Sequence, residues 1–284
     1  MNLDHKHKII ATIIATCLLI TTACSCSAHP TAEVIIDKTL SAITAVKSYQ
    51  LDTDFTDGGS AEYKGTKLVN VPDQSMAMIM IVTMGTGRTQ IRVSDEEYCK
   101  DGKQYLKTIA ESNIPQTFGW NKTPVWKEGW DNETQISFLS EVLKNAAQVS
   151  SLADEKIDNT DCYVLSIIPA AQAAYDWVLS QSLPGGYAYD VDMSGHQPVV
   201  RSDTFHTGLV KLWINRKNYL PLKIDADFNF QGDIGPDPSS ELASPSPNIR
   251  TMGFHGQQIF SHYNQPVSIQ VPPEALDAPE TAAN

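Results

Sequence analysis

The chain has 284 residues, of which 42% are hydrophobic and 19% charged. That is enough for one large domain or two small ones with a buried core. A formal net charge of −12 argues against a nucleic-acid partner, because phosphate-backbone binding needs clustered Lys and Arg. The acidic balance favours solubility and says little about the fold.

The N-terminus reads as an export signal. "MNLDHKHK" is a short basic-tipped segment carrying Lys6 and Lys8, and "IIATIIATCLLI" is an apolar run of about 12 residues, the size of a signal core. A spanning helix needs about 20. Thr21, Thr22 and Ala23 precede Cys24. This resembles a bacterial lipobox, in which the cysteine becomes the lipidated first residue of the mature chain. Thr21 stands where Leu is usual, and Cys26 is a second candidate. The plainer alternative is a cleaved secretory signal with a chance cysteine. Residues 1–23 are read as the signal and 24–30 as a lipidated tether. In the body only Cys99 and Cys162 remain. An oxidising compartment permits a disulfide between them, and two buried free thiols fit equally well.

"HPTAEVIIDKTLSAITAVKS" predicts a helix started at Pro30 and Thr31, with Glu33 in its first turn. Ile36, Leu40, Ile43 and Val46 follow helical spacing, with Ile35, Thr39 and Ala42 beside them. Alternation then takes over. Tyr49, Leu51, Thr53 and Phe55 share one face of a half-buried strand, and Gln50, Asp52 and Asp54 the other. "AEYKGTKLVNV" is a weaker strand. In "QSMAMIMIVTMG", Met76, Met78, Met80, Val82 and Met84 share one face, and Ala77, Ile79, Ile81 and Thr83 the other. Both faces are apolar, so both are expected to be covered. "RTQIRVSDEEYCKDGKQYLKT" reads as two strands around a tight turn.

From 109 to 131 the pattern lapses into a loop-like segment with Trp120, Trp126 and Trp130, placed to guard a cavity mouth, touch a membrane surface or simply pack. "ETQISFLSEVLKNAAQ" predicts a helix with Ile136, Leu139, Leu143 and Ala146 or Ala147 on one side. "CYVLSIIP" is a strand, and "AAQAAYDWVLSQS" a helix turning Ala170, Ala174, Trp177 and Val178 inward. "KLWINRKNYLPLKIDADFNF" is a hairpin. Val210, Leu212 and Ile214 alternate with Leu209, Lys211 and Trp213; Leu222, Ile224, Ala226, Phe228 and Phe230 alternate with Lys223, Asp225, Asp227 and Asn229. Pro221 begins a strand, where its missing donor is tolerable. Residues 232–248 form an exposed Pro/Ser-rich loop. "IRTMGFHGQQIFSHYN" and "VSIQVP" are two last strands, and 276–284 is a disordered tail. Consecutive strands with a few helices, no repeat and no linker predict one α+β domain over 31–275.

Nothing here has the form of a catalytic site. There is no G-x-S-x-G, and His196, His206, His255 and His262 are scattered without the helical spacing or cysteine partners of a zinc site. The reading is a non-enzyme without metal or cofactor.

The order of elements is informative. A lipoprotein signal, an early helix, meander strands, central helices and the hairpin carrying Trp213, Leu220, Pro221 and Leu222 together resemble the LolA-like superfamily. That group includes the outer-membrane lipoprotein carrier and the lipidated LppX/LprG-type branch. The closing "VSIQVPPEA" also resembles the family's end. The resemblance implies an antiparallel half-barrel curled around helices, an apolar cavity, and a lipid or acyl-chain ligand. The lipobox moves the chain towards the lipidated branch.

The residues supply their own case for such a ligand. An acyl site needs a concave apolar lining, and unbranched, adaptable methionine suits it. Met76, Met78, Met80, Val82 and Met84 are the first candidates; Tyr49, Leu51, Phe55, Leu222, Ile224, Phe228 and Phe230 follow. The bland reading is that these faces pack against helices. The expected function is a lipid or lipoprotein carrier or chaperone, anchored outside the cytoplasm to the bacterial cell membrane through Cys24. The alternative is an envelope sensor or regulatory module that binds a partner protein on the same scaffold, with a shallow or collapsed cavity.

Overall fold

The computed structural model describes residues 29–56, 61–85, 90–111, 116–124, 135–174, 199–200, 206–233 and 249–280. Cys24, Trp126, Trp130, Trp177, Val178, His196 and the loop 234–248 lie outside the described residues.

Helix α1 (Ala32–Thr44) starts where the sequence indicates. Thr31 is its N-cap, with an extended backbone and a side chain that accepts from the Val34 amide. Its buried face is Ala32, Ile35, Thr39 and Ile43, rotated from the expected stripe; Ile36 and Leu40 sit at the flank, half-buried.

The strands are β1 (Ser48–Thr56), β2 (Ala61–Asn70), β3 (Ser75–Met84), β4 (Ile91–Lys100), β5 (Lys103–Glu111), β6 (Gln116–Thr117), β7 (Asn121–Pro124), β8 (Ala146–Ser151), β9 (Glu155–Ile157), β10 (Thr160–Pro169), β11 (Val199–Val200), β12 (His206–Asn215), β13 (Pro221–Asp233) and β14 (Ile249–Ser261). Helix α2 (Gln135–Lys144) precedes β8, and a short α3 (Pro273–Leu276) follows β14. All the strands join one sheet in the order β6-β5-β4-β3-β2-β1-β14-β13-β12-β10-β8, with β7, β9 and β11 off that path. Neighbouring strands pair antiparallel throughout.

Two meanders are thus zipped together where the first long strand meets the last: Leu51 lies opposite Phe260 and Thr53 opposite Gln258. The sheet stays open, with β6 and β8 at the ends of the order. Helices α1 and α2 contribute Ile35, Ile43, Ile136, Leu139, Val142 and Leu143 to the same apolar cluster as the inner strand residues. The architecture is α+β, an open antiparallel sheet with α1 and α2 on one face.

Several sequence expectations change. The segment after β5 is not a plain loop, because β6 and β7 both pair with β5. Trp120 is buried against Tyr105, Ala275 and Ala278 on the outer side, so it is a packing residue. The second helix stops at Lys144, and Ala146 opens β8, which pairs with β10. Helical geometry at the third predicted helix is described for 171–174. A hairpin that the pattern did not announce joins β9 to β10. Its turn residues Asp158 and Asn159 both take positive φ, 44° and 65°, as a tight two-residue β-turn requires.

Strand β13 runs through Asp233, so Gly232 and Asp233 belong to the sheet rather than to the loop. "VSIQVP" forms no strand; Ile269 is buried and its carbonyl accepts from Lys100 Nζ at 2.8 Å. The tail is placed as far as residue 280. Glu280 pairs with Lys103 at 2.7 Å, and Ala278 is buried.

Cys99 and Cys162 are free thiols. Six strands separate β4 from β10 in the sheet order. Cys99 belongs to the main core and Cys162 to a small outer cluster with Val164 and Trp213. Of the two alternatives, a bridge and a pair of buried free thiols, the structure holds the second.

Candidate functional site: the inner face of the sheet

Register brings the inward residues of five strands into rows. One row is Leu51, Lys67, Met78, Glu97 and Leu106; the next is Thr53, Gly65, Met80, Asp95 and Thr108. Above the first lie Tyr49, Val69, Met76, Cys99 and Gln104, and below the second Phe55, Tyr63, Val82, Val93 and Ala110. The methionine stripe is therefore a real feature of the inner face. Met76, Met78, Met80 and Val82 are all at most 7% exposed, in one cluster with Tyr49, Leu51, Phe55, Ile224 and Phe260. Phe55 stacks on Tyr63 with centroids 4.6 Å apart.

Gly65 makes room for this stripe. A Cβ there would stand 2.8 Å from Met80 Sδ and 2.6 Å from the Ile79 carbonyl oxygen.

Three expectations fail on this face. The back of β3 is not covered: Ile79 is 54% exposed. It sits between Thr66 and Glu96 on the polar outer surface. Met84, at the strand's end, is 37% exposed. Leu222 leaves the lining altogether. The register between β12 and β13 shifts between Trp213 and Ile214, a bulge that adds a residue and re-aims its neighbours. Leu222 packs instead with Cys162, Val164 and Trp213 on the outer side. The side chains of Phe228 and Phe230 lie outside the described residues.

The outer Trp213 is fixed by polar contacts. Its indole N–H donates to Glu155 at 2.8 Å. Lys211 and Lys223 stand 4.5 and 5.0 Å from its ring, in cation–π range. Burial of the motif tryptophan is thus structural.

The inner face also holds polar groups that the sequence reading missed. Lys67, Asp95, Glu97 and Gln258 are buried, at 6%, 2%, 0% and 1% exposure. Glu97 accepts from Gln104 Nε2 at 2.5 Å and from the Cys99 thiol at 3.6 Å. Asp95 accepts from Thr108 at 2.5 Å. Burial raises the Asp95 pKa, and the Thr108 hydrogen bond opposes the rise. On α1 the fully buried Thr39 hydroxyl finds no hydrogen-bond partner among the described residues. A signal for these groups was present. Val93 and Cys99 fix the phase of β4, and that phase turns Asp95 and Glu97 inward.

Among the described residues no cluster of His, Cys, Asp or Glu is arranged to hold a metal ion. Nor does any described helix have the length and apolarity to cross a membrane. The face offers apolar area, adaptable thioethers and a few buried hydrogen-bonding groups. That arrangement suits binding.

No family model and no curated protein matches the chain. Solved structures do. The lipoprotein LppX of Mycobacterium tuberculosis aligns over 84% of this chain and 97% of its own, at 11% identity and a TM-score of 0.43. LprF from Mycobacterium bovis aligns over 85% and 96%, at 11% identity and a TM-score of 0.46. A putative outer-membrane lipoprotein-sorting domain from Vibrio parahaemolyticus covers 82% and 92%, at 11% identity and a TM-score of 0.22.

Proposed function

We propose that the chain is an extracytoplasmic lipoprotein, anchored to the membrane through Cys24, that binds a lipid or the acyl chains of a lipidated ligand against the inner face of its sheet. The observation that carries this reading is the row of Met76, Met78 and Met80 on the helix-covered side, where flexible thioethers rather than branched side chains fill the interior. Such side chains re-pack around ligands of varied shape. The buried Lys67, Asp95 and Glu97 beside them set polar groups within the apolar face, which matches an amphiphile better than a plain hydrocarbon.

The experiment uses the exported, non-lipidated C24S chain and an acyl probe whose fluorescence rises in apolar surroundings. Saturable uptake, weakened about tenfold or more by M80Q, supports the reading, since a polar amide on the acyl path costs on the order of 1–3 kcal/mol. Absence of uptake by a folded protein contradicts it.

One observation favours the second reading, a regulatory module that binds a protein partner. The methionines are closed off from solvent, as a collapsed cavity would have them. A protein that takes up no acyl probe would move the inquiry to partner proteins.

A further inference from the structure

His29 is the first described residue, two positions before the N-cap of α1. Its ring is held on both sides. Nδ1 lies 3.0 Å from the Pro30 carbonyl oxygen and Nε2 lies 2.8 Å from Asp154 Oδ1. Both partners are acceptors. A neutral imidazole carries one N–H, so only the imidazolium donates to both at once. Asp154 is fixed in turn, because its other oxygen accepts from Arg216 Nη1 at 2.8 Å. The His29 ring stands edge-on to Tyr163, with centroids 5.3 Å apart, and the Arg216 guanidinium lies 5.1 Å from the Tyr163 ring. Tyr163 stacks on Tyr219, whose hydroxyl accepts from Lys38 of α1 at 3.2 Å.

The residues leading into α1, the β8–β9 loop, β10, the β12–β13 turn and α1 itself therefore meet at one corner. The charged and titratable groups described around His29 are Asp154, Arg216 and Tyr163, with Tyr219 and Lys38 behind them. The hydrogen bond to Asp154 raises the His29 pKa above 6.5, against opposing effects of burial and Arg216.

We propose that His29, Asp154 and Arg216 form a proton-dependent clasp that orients the protein on its membrane anchor, with the corner between the β8–β9 loop and the β12–β13 turn facing the bilayer. This rests on the anchor reading above. The five steps from Cys24 to His29 span at most about 17 Å when fully extended. A ten-residue strand such as β10 is roughly 33 Å long. With the clasp closed, the anchor lies near this corner and out of reach of the far strand ends. Opening the clasp frees the chain to swivel at Thr31. The clasp is tightest while His29 is protonated; as pH rises through its raised pKa it loses the ion pair and the Pro30 hydrogen bond, keeping at most a neutral Nε2–H bond to Asp154, and so opens more readily.

The test uses the full lipidated chain, with Cys26→Ser, in vesicles of phosphatidylethanolamine and phosphatidylglycerol that carry a headgroup quencher. A fluorophore is placed at Lys217→Cys in the β12–β13 turn or at Glu111→Cys at the opposite strand end. At about pH 5.5 the Lys217 probe should be quenched several-fold more than the Glu111 probe. The difference should shrink by about pH 8 and vanish at both pH values in Asp154→Asn. His29→Gln should remove the pH dependence without unfolding the chain. In parallel, NMR titration of the soluble Cys24→Ser chain should place the His29 pKa above 6.5, falling towards that value in Asp154→Asn. A lipidated chain with equal quenching at the two positions, or an ordinary His29 titration unchanged by Asp154→Asn, overturns the clasp while leaving lipid binding intact. A mature chain whose mass shows an unmodified Cys24 overturns the anchor reading, and with it the proposed orientation.

Discussion

Gly65 shows how one absent side chain shapes the inner face. Any Cβ at this position meets Met80 Sδ on one side and the β3 backbone on the other. The thioether can swing away, but the Ile79 carbonyl cannot do so without bending the strand. G65A should cost about 1–3 kcal/mol, typical of overpacking, and urea unfolding will measure it. Asp95 gives a pH-dependent counterpart. Burial raises its folded-state pKa above the ordinary 3.8. The folded chain therefore binds this proton more readily than the unfolded chain between the two pKa values. Stability from this group falls as pH rises through that window and is greatest below it. D95N should flatten that part of the stability–pH curve, as denaturant midpoints across the acidic range will show. Neither effect could be read from the sequence. The packing of Met80 on Gly65 depends on register, and the burial of Asp95 depends on which way β4 faces.

At the scale of elements, period-2 patterning was the dependable signal. It located β1, β3 and the β12–β13 hairpin, because one buried face imposes alternation over many residues. It failed where a local device breaks the period. The bulge after Trp213 moves Leu222 to the outer surface, and no feature of "YLPLK" marks that extra residue. The helix–strand junction at Asn145 was lost for a similar reason. Ala-rich "KNAAQ" suits a helix by propensity, but pairing of β8 with β10 decides its state. The C-terminal tail was misread because its polar composition suggests disorder, whereas its anchoring is tertiary. Ala275 and Ala278 cover Trp120 and Tyr105, and Lys122 donates to the Leu276 carbonyl at 3.2 Å. Deleting residues 273–284 should expose Trp120, shift its fluorescence to longer wavelength and lower the unfolding midpoint. An unchanged emission spectrum would show that this packing does not persist in solution.

For the whole molecule, the long-range pairing of β1 with β14 joins two meanders into one open sheet. Tyr49, Phe260 and Tyr263 lie close together at that seam, with ring centroids 6.2–6.5 Å apart. The general architecture was legible because helices and alternating strands appear in a recognisable order, and the methionine face was legible because its residues are so alike. The charged groups within that face were not singled out, since Lys67, Asp95 and Glu97 look like ordinary surface residues until register turns them inward. The central claim is that this face receives a lipid. Native mass spectrometry of the intact exported C24S chain, followed by solvent extraction, tests it most directly. The account predicts a reproducible bound amphiphile, lost from a folded M78Q/M80Q variant. A wild-type chain that is free of lipid and remains so after incubation with phospholipid and acylated peptide would contradict it.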